Sequence, residues 1–89
     1  MSTEQRAAII QRLRAHLNQV AAGLGNDASG LTDTDIIPDA EVVDSAGLLE
    51  FVVWYDDAFS LDLQPEEMTV DNLGSLASMA DFALARMAR

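Results

Sequence analysis

Residues 42–59 read VVDSAGLLEFVVWYDDAF and predict an apolar helix that begins at Ser45 and ends near Phe59. Leu48, Val52, Tyr55 and Phe59 are spaced by four, three and four residues, which places them on one face of a helix. We expect that face to pack into the core. The same stretch carries further apolar residues outside this face, more than the single modest core of so short a chain requires.

A second apolar strip is predicted on the same helix. Leu49 and Val53 lie one turn apart on another side, and Ala46 lies on the same edge. Glu50, Asp56 and Asp57 place carboxylates around the strip. An apolar patch with an acidic rim is typical of a docking surface. The alternative, which the sequence leaves open, is that the loop after the first helix folds over the strip and covers it.

Ser45 stands at the predicted start of this helix, directly after Asp44. The first N–H groups of a helix have no internal partners, and the helix dipole makes that end positive, so both effects stabilise a phosphate there. A serine hydroxyl in this place is suited to carrying a phosphate ester. The simpler alternative is that Asp44 or Ser45 is only the N-cap of the helix.

The rest of the chain predicts further helices and one long loop. Apolar spacings predict a first helix over 3–22, and a polar loop over 25–43 follows it. A proline followed by acids predicts one short helical turn at 64–67, and a last helix begins near position 71. The residues expected to pack in these helices are Ile10, Leu13, Leu17, Val20, Leu24, Met68, Leu73, Leu76, Met79, Ala80, Ala83 or Leu84, and Met87. The fold class is therefore all-α: a small bundle of three main helices plus one short helix, in a single domain over 1–89.

The charge of the chain restricts its partners. The 89 residues carry a net charge of −10, and there is neither lysine nor cysteine among them. All five arginines lie within the first 14 or the last four residues. Such a field repels nucleic acid and anionic membranes and favours a basic protein partner, unless it serves only to keep the domain soluble. With no signal-peptide core and no bilayer-spanning run, we expect a cytoplasmic monomer.

Catalytic and metal sites are not indicated. The only histidine is His16, on the first helix, and no G-x-S-x-G motif accompanies any serine. A calcium loop beginning at Asp33 would have Pro38 where a glycine must turn and Asp44 where a glutamate should bind. The absence of cysteine excludes thiolate ligands and cysteine nucleophiles. We therefore expect neither a serine hydrolase nor a dedicated metal site, and loose, non-catalytic binding of divalent ions by the acidic surface stays open.

The residues around Ser45 resemble the acyl carrier protein family, the phosphopantetheine-binding carriers of acyl, aminoacyl or peptidyl groups. The likeness extends over nearly the whole chain, in its length, helix order and acidity. The segments that carry it are Leu31–Ile37, Asp44-Ser45, Leu48-Leu49-Glu50, Asp56-Asp57, Phe59, Leu61-Asp62-Leu63 and Thr69–Leu76. The chain departs from the family in having Ala46 where leucine is common, and Asp39-Ala40-Glu41 where a glycine is often found. These departures favour a carrier of a specialised biosynthetic pathway.

The resemblance implies a function for Ser45. A phosphopantetheinyl transferase would attach the 4'-phosphopantetheine arm to its hydroxyl, and the arm would hold an acyl or aminoacyl group as a thioester. A loading enzyme and downstream biosynthetic enzymes, with basic docking surfaces, would be the further partners. The residues expected to contact partners are Asp44, Ala46, Leu49, Glu50, Val53 and Asp57. A different hypothesis stays open: an unmodified acidic helical adaptor that binds a basic protein.

Overall fold

The computed structural model describes residues 3–88, and in that range it contains helices and no strand. The elements are α1 (Thr3–Gly23), α2 (Ile37–Ala40), α3 (Ser45–Phe59), a 3-10 turn (Pro65–Glu67), α4 (Val70–Leu73) and α5 (Leu76–Met87). The all-α prediction is confirmed, with three long helices. The short elements number three in the described range, where the sequence predicted one. No helix of that range has both the length and the apolar content needed to cross a bilayer.

The core lies where α1 packs against α3 and α5. The side chains that are fully buried there and largest in volume are Leu13, Leu17, Ile37, Phe51, Tyr55, Leu61, Leu76 and Met79. The hydroxyl of Tyr55 donates a hydrogen bond of 2.7 Å to the carbonyl oxygen of Met79, which joins α3 to α5 through the core. The predicted core stripe of α3 is thus confirmed, although Leu48 is only half-buried.

Three residues that the sequence placed in the packing are exposed: Leu24, Met68 and Met87. Leu24 lies just beyond the last residue of α1, and Met87 is the last residue of α5. Met68 follows the 3-10 turn. Each therefore lies at the end of an element, where helical spacing no longer decides which way a side chain faces.

The last predicted helix is divided in two. α4 ends at Leu73, and α5 begins anew at Leu76, because Ser75 is extended (ψ 163°) and caps the second helix. Its Oγ accepts a hydrogen bond from the N–H of Ser78 at 3.1 Å. The carbonyl of Gly74 accepts the N–H of Ile37 at 2.7 Å instead of continuing a helix. Capping and a contact distant in sequence together break the helix at 74–75.

The long loop after α1 is fastened to α1 and α5. The guanidinium of Arg14 donates to the carbonyl of Leu31 and pairs with Asp33. The carbonyl of Asp33 accepts the N–H of Ala77 at 2.9 Å. Leu31 is buried and packs into the core, so it also fixes the loop. The loop therefore crosses the start of α5, and the outer side of α3 is left uncovered.

Candidate functional site

The N-cap of α3 is Asp44. Its backbone is extended (φ −86°, ψ −178°), and its Oδ1 accepts the N–H of Gly47 at 2.7 Å. Ser45 is the first residue of the helix and is exposed. Of the two residues that the sequence left as possible caps, Asp44 does the capping. The hydroxyl of Ser45 therefore lies at the solvent-facing start of a 15-residue helix without serving as the cap.

Close packing against α1 fixes this end of α3. Gly47 is buried, and a Cβ atom on it would lie 3.0 Å from Leu24 Cδ1 and 3.3 Å from Val20 Cγ1. The first turn of α3 thus approaches the end of α1 so closely that a Cβ atom on Gly47 would require the side chains of Leu24 and Val20 to shift by a few tenths of an ångström. Just before the cap, the side-chain amide of Asn26 donates to the carbonyl of Val42 at 2.9 Å. Ser45 consequently stands on a rigid base.

A groove of about 290 Å³ opens beside Ser45. One wall belongs to α3, the other to the segment 68–74, and Pro38 also lines the groove. The lining residues of the two walls are Ser45, Leu48, Leu49, Val52, Met68, Thr69, Val70, Leu73 and Gly74. Among the described residues, none that lines the groove is charged, so Ser45 lies at the edge of an apolar surface.

The predicted strip on α3 is exposed. Leu49 is 57% exposed and Val53 is 59% exposed, and Ala46, Glu50 and Asp57 are exposed as well. The alternative in which the loop after α1 covers the strip is therefore wrong for this fold. Helical spacing puts Ala46, Glu50, Val53 and Asp57 on one stripe, so the predicted docking residues share a face that begins at Ser45.

Sequence reasoning missed the second wall of the groove. Met68 is 46% exposed and Val70 is 58% exposed, and both line the groove opposite α3. They stand on either side of Thr69, whose Oγ1 caps α4 by accepting the N–H of Asn72 at 3.2 Å. The sequence does carry a signal for this cap, because a threonine that precedes a short polar segment is a typical helix N-cap. That Met68 and Val70 would then face Leu49 depends on tertiary packing that no local pattern encodes.

The acids of α3 lie apart from the ion pairs of the described residues. Those pairs are Arg6 with Asp81, Arg14 with Asp33, and Arg86 with Glu67. Each brings an arginine of α1 or α5 onto a carboxylate outside α3. The exposed carboxylates of α3 therefore keep their negative field and complement a basic surface.

His16, the only histidine of the sequence, is a packing residue. Its ring stacks on Trp54 with the centroids 4.0 Å apart and the planes 4° from parallel. The side chain is half-buried between α1 and α3, with Phe51 next in the stack at 6.1 Å. Within residues 3–88, no group of three or more histidines, cysteines or acids is placed to hold a metal ion.

Comparison of the chain with protein-family models, with curated proteins and with solved structures gave no match. What the site can do chemically must therefore be inferred from the groups that it contains. They are a primary hydroxyl at a helix N-terminus, an apolar groove next to it and an exposed apolar strip with carboxylates around it.

Proposed function

We propose that the chain is a carrier protein in which Ser45 holds a 4'-phosphopantetheine arm, as in the acyl carrier proteins that it resembles. The observation that carries this proposal is the place of Ser45: exposed, at the first residue of α3, with the capping done by Asp44. A hydroxyl that is both accessible and held on a rigid helix end is what a transferase needs in its acceptor.

The start of α3 is suited to the phosphodiester of the arm. Asp44 accepts the N–H of Gly47, so the N–H groups of Ser45 and Ala46 remain for solvent or for phosphate oxygens. The positive end of the helix dipole favours the phosphate charge. The carboxylate of Asp44 opposes it, and solvent screens both charges at this exposed helix end.

The chain itself contributes only the nucleophile to the modification. The Oγ of Ser45 forms a bond to the phosphorus of the phosphopantetheine in coenzyme A, and the pyrophosphate bond breaks. The nucleotide half of coenzyme A leaves, and a base of the transferase takes the hydroxyl proton. When bound, the arm supplies a thiol that holds an acyl or aminoacyl group as a thioester, in a chain that has no cysteine of its own.

Partner enzymes would dock on the outer face of α3. Leu49 and Val53 offer apolar contact area, and Glu50 and Asp57 offer charge to a basic surface. Charges at the rim of an interface act mainly on the rate of encounter, and the apolar centre contributes most of the binding energy. A monomeric carrier that meets a transferase, a loading enzyme and later enzymes in turn fits such an exposed, transiently covered face.

The intact mass of the protein tests the proposal. After co-expression with a promiscuous phosphopantetheinyl transferase, the chain is expected to gain the mass of one phosphopantetheine, and Ser45→Ala is expected to abolish the gain. Ser60→Gly is the matched control, because it removes the hydroxyl at the opposite end of α3 at a position with φ 52°, which glycine accepts. A folded sample that several transferases leave unmodified would contradict the proposal.

A second function, an unmodified adaptor for a basic protein, is favoured by the same exposed strip on α3. Leu49 and Val53 are exposed in the unmodified chain, where an adaptor would use them. The two functions differ in what Ser45→Ala does. Binding of a basic partner would survive this substitution in an adaptor, whereas delivery of a thioester-bound group would be lost in a carrier.

A further inference from the structure

One arginine of α5 fastens the connection between α3 and α4 at both of its ends. The guanidinium of Arg86 donates to the carbonyl of Leu61 and, at 3.4 Å, to that of Asp62, and it pairs with the carboxylate of Glu67. Its Cζ lies 5.1 Å from the ring centroid of Phe82, which supports it from its own helix. The side chains of the ion pair are 18% and 23% exposed, so water screens them little.

The connection needs such a fastening because its backbone is strained. Ser60 and Asp62 have φ values of 52° and 53°, in the left-handed region that costs energy for residues other than glycine. One oxygen of the Glu67 carboxylate accepts the N–H of Gln64 at 3.0 Å and closes the 3-10 turn. The other oxygen accepts from Arg86. Glu67 thereby connects the turn to α5.

The second wall of the groove begins with the residue that follows Glu67 in the chain. Met68, Thr69 and Val70 come next in the chain, and the carbonyl of Glu67 accepts the side-chain amide of Asn72 at 2.9 Å. The position of Glu67 therefore determines where α4 begins. The far end of the wall is fixed separately, by the hydrogen bond from the N–H of Ile37 to the carbonyl of Gly74.

We propose that Arg86 is a positioning residue that sets the separation of the two walls of the groove beside Ser45. It acts at a distance, since it lines no part of the groove: it holds Glu67, and Glu67 holds α4. Loss of the guanidinium releases one end of the wall, and α4 then moves away from α3 about the fixed end at Gly74. Arg86 on α5 thus controls the width of the groove and thereby the size of the group that the groove accepts next to Ser45. The inference rests on the proposed function in one respect only, namely that the group admitted to the groove is the cargo of a carrier.

Hydrogen exchange of the unmodified chain tests this role. In Arg86→Met, the amides of Glu67, Met68 and Leu73 are expected to exchange about tenfold to hundredfold faster, the effect of removing a hydrogen bond to a charged group. Arg86→Lys keeps the charge without the planar fork and should give an intermediate rate. Arg6→Met is the matched control, because it breaks an exposed ion pair between α1 and α5 away from the groove.

The separation of the walls can be measured directly. The chain has no cysteine, so spin labels on Leu49→Cys and Val70→Cys report one distance across the groove. With Arg86→Met added, the distance distribution is expected to shift to longer values and broaden, and with Arg6→Met to stay unchanged. Should Arg86→Met fail to fold, Glu67→Gln tests the same ion pair.

Two results would overturn the proposal. One is an unchanged label distance together with unchanged exchange at Glu67, Met68 and Leu73. The other is an equal acceleration of every amide, including those of α1 and α3, which would mean that Arg86 only stabilises the fold as a whole. Neither measurement involves modification of Ser45, so the outcome is independent of whether the chain is a carrier.

Discussion

Tyr55 should make the stability of this protein fall steeply above pH 10, and Tyr55→Phe should remove that dependence. The side chain is fully buried, and its hydroxyl donates to the carbonyl of Met79 at 2.7 Å. Burial raises the pKa of the Tyr55 phenol above its ordinary value of 10, because the phenolate would lose its hydration in the core. The phenol therefore stays protonated in the folded state at a pH where the unfolded chain ionises.

The sign and size of the effect follow from proton linkage. Because the folded-state pKa is raised, the stability is fully present below pH 10 and is lost as the pH rises above that value. The loss is about 1.4 kcal/mol at pH 11 and about 2.7 kcal/mol at pH 12, provided that the phenol is still protonated in the folded state. Tyr55→Phe removes one hydrogen bond, which costs about 1 kcal/mol at neutral pH. The free energies of unfolding of the unsubstituted protein and of Tyr55→Phe should therefore become equal at roughly pH 10.6.

Urea unfolding of both proteins between pH 8 and pH 12 measures this crossing. The composition makes the experiment clean, because the chain has one tyrosine, no lysine and no cysteine, so no other side chain titrates near pH 10. Absorbance of tyrosinate gives an independent titration of the folded state. A constant difference in stability across the whole pH range, or tyrosinate formation near pH 10 in the folded protein, would refute the reasoning.

Further predictions concern the ends of α3 and α4. Asp44→Ala removes the N-cap of α3 and should lower the free energy of unfolding by about 0.5–2 kcal/mol in urea unfolding, whereas Asp44→Asn, which can still accept the N–H of Gly47, should lose only a few tenths. Gly74→Ala should destabilise the fold and raise hydrogen exchange at Leu73, because its Cβ would lie 2.7 Å from the Val70 side chain and closer still to the Val70 carbonyl oxygen. An unchanged midpoint in Gly74→Ala would show that α4 shifts without cost.

The sequence predicted what local spacing controls. The bounds of α3 and the burial of Val52, Tyr55 and Phe59 follow from one stripe of helical period, because burying that stripe is the main gain of folding. The division of the last helix could not be predicted in the same way. It depends on Ser75 as a cap and on the N–H of Ile37, a partner 37 residues earlier than the carbonyl of Gly74 that accepts it.

The same distinction separates the two halves of the candidate site. The half on α3, with Ser45, Leu49 and Val53, is contiguous in sequence and could be identified as one helix face. The half that contains Met68 and Val70 is brought to α3 by the 3-10 turn and by Arg86, which lies 19 residues beyond Glu67. Contacts of that kind are tertiary, and a spacing pattern carries no signal for them.

The exposure of Leu49 and Val53 on α3 depends on where the preceding loop lies. A loop of that length could have covered Leu49 and Val53 and so buried more apolar area, which favours folding. It does not, because Arg14 holds Leu31 and Asp33 against α1, and the carbonyl of Asp33 holds the loop at the start of α5. The loop is thus held at α1 and at the start of α5, and it reaches the groove beside α3 through Pro38. The exposure of the strip on α3 therefore depends on contacts that residues outside α3 make with one another.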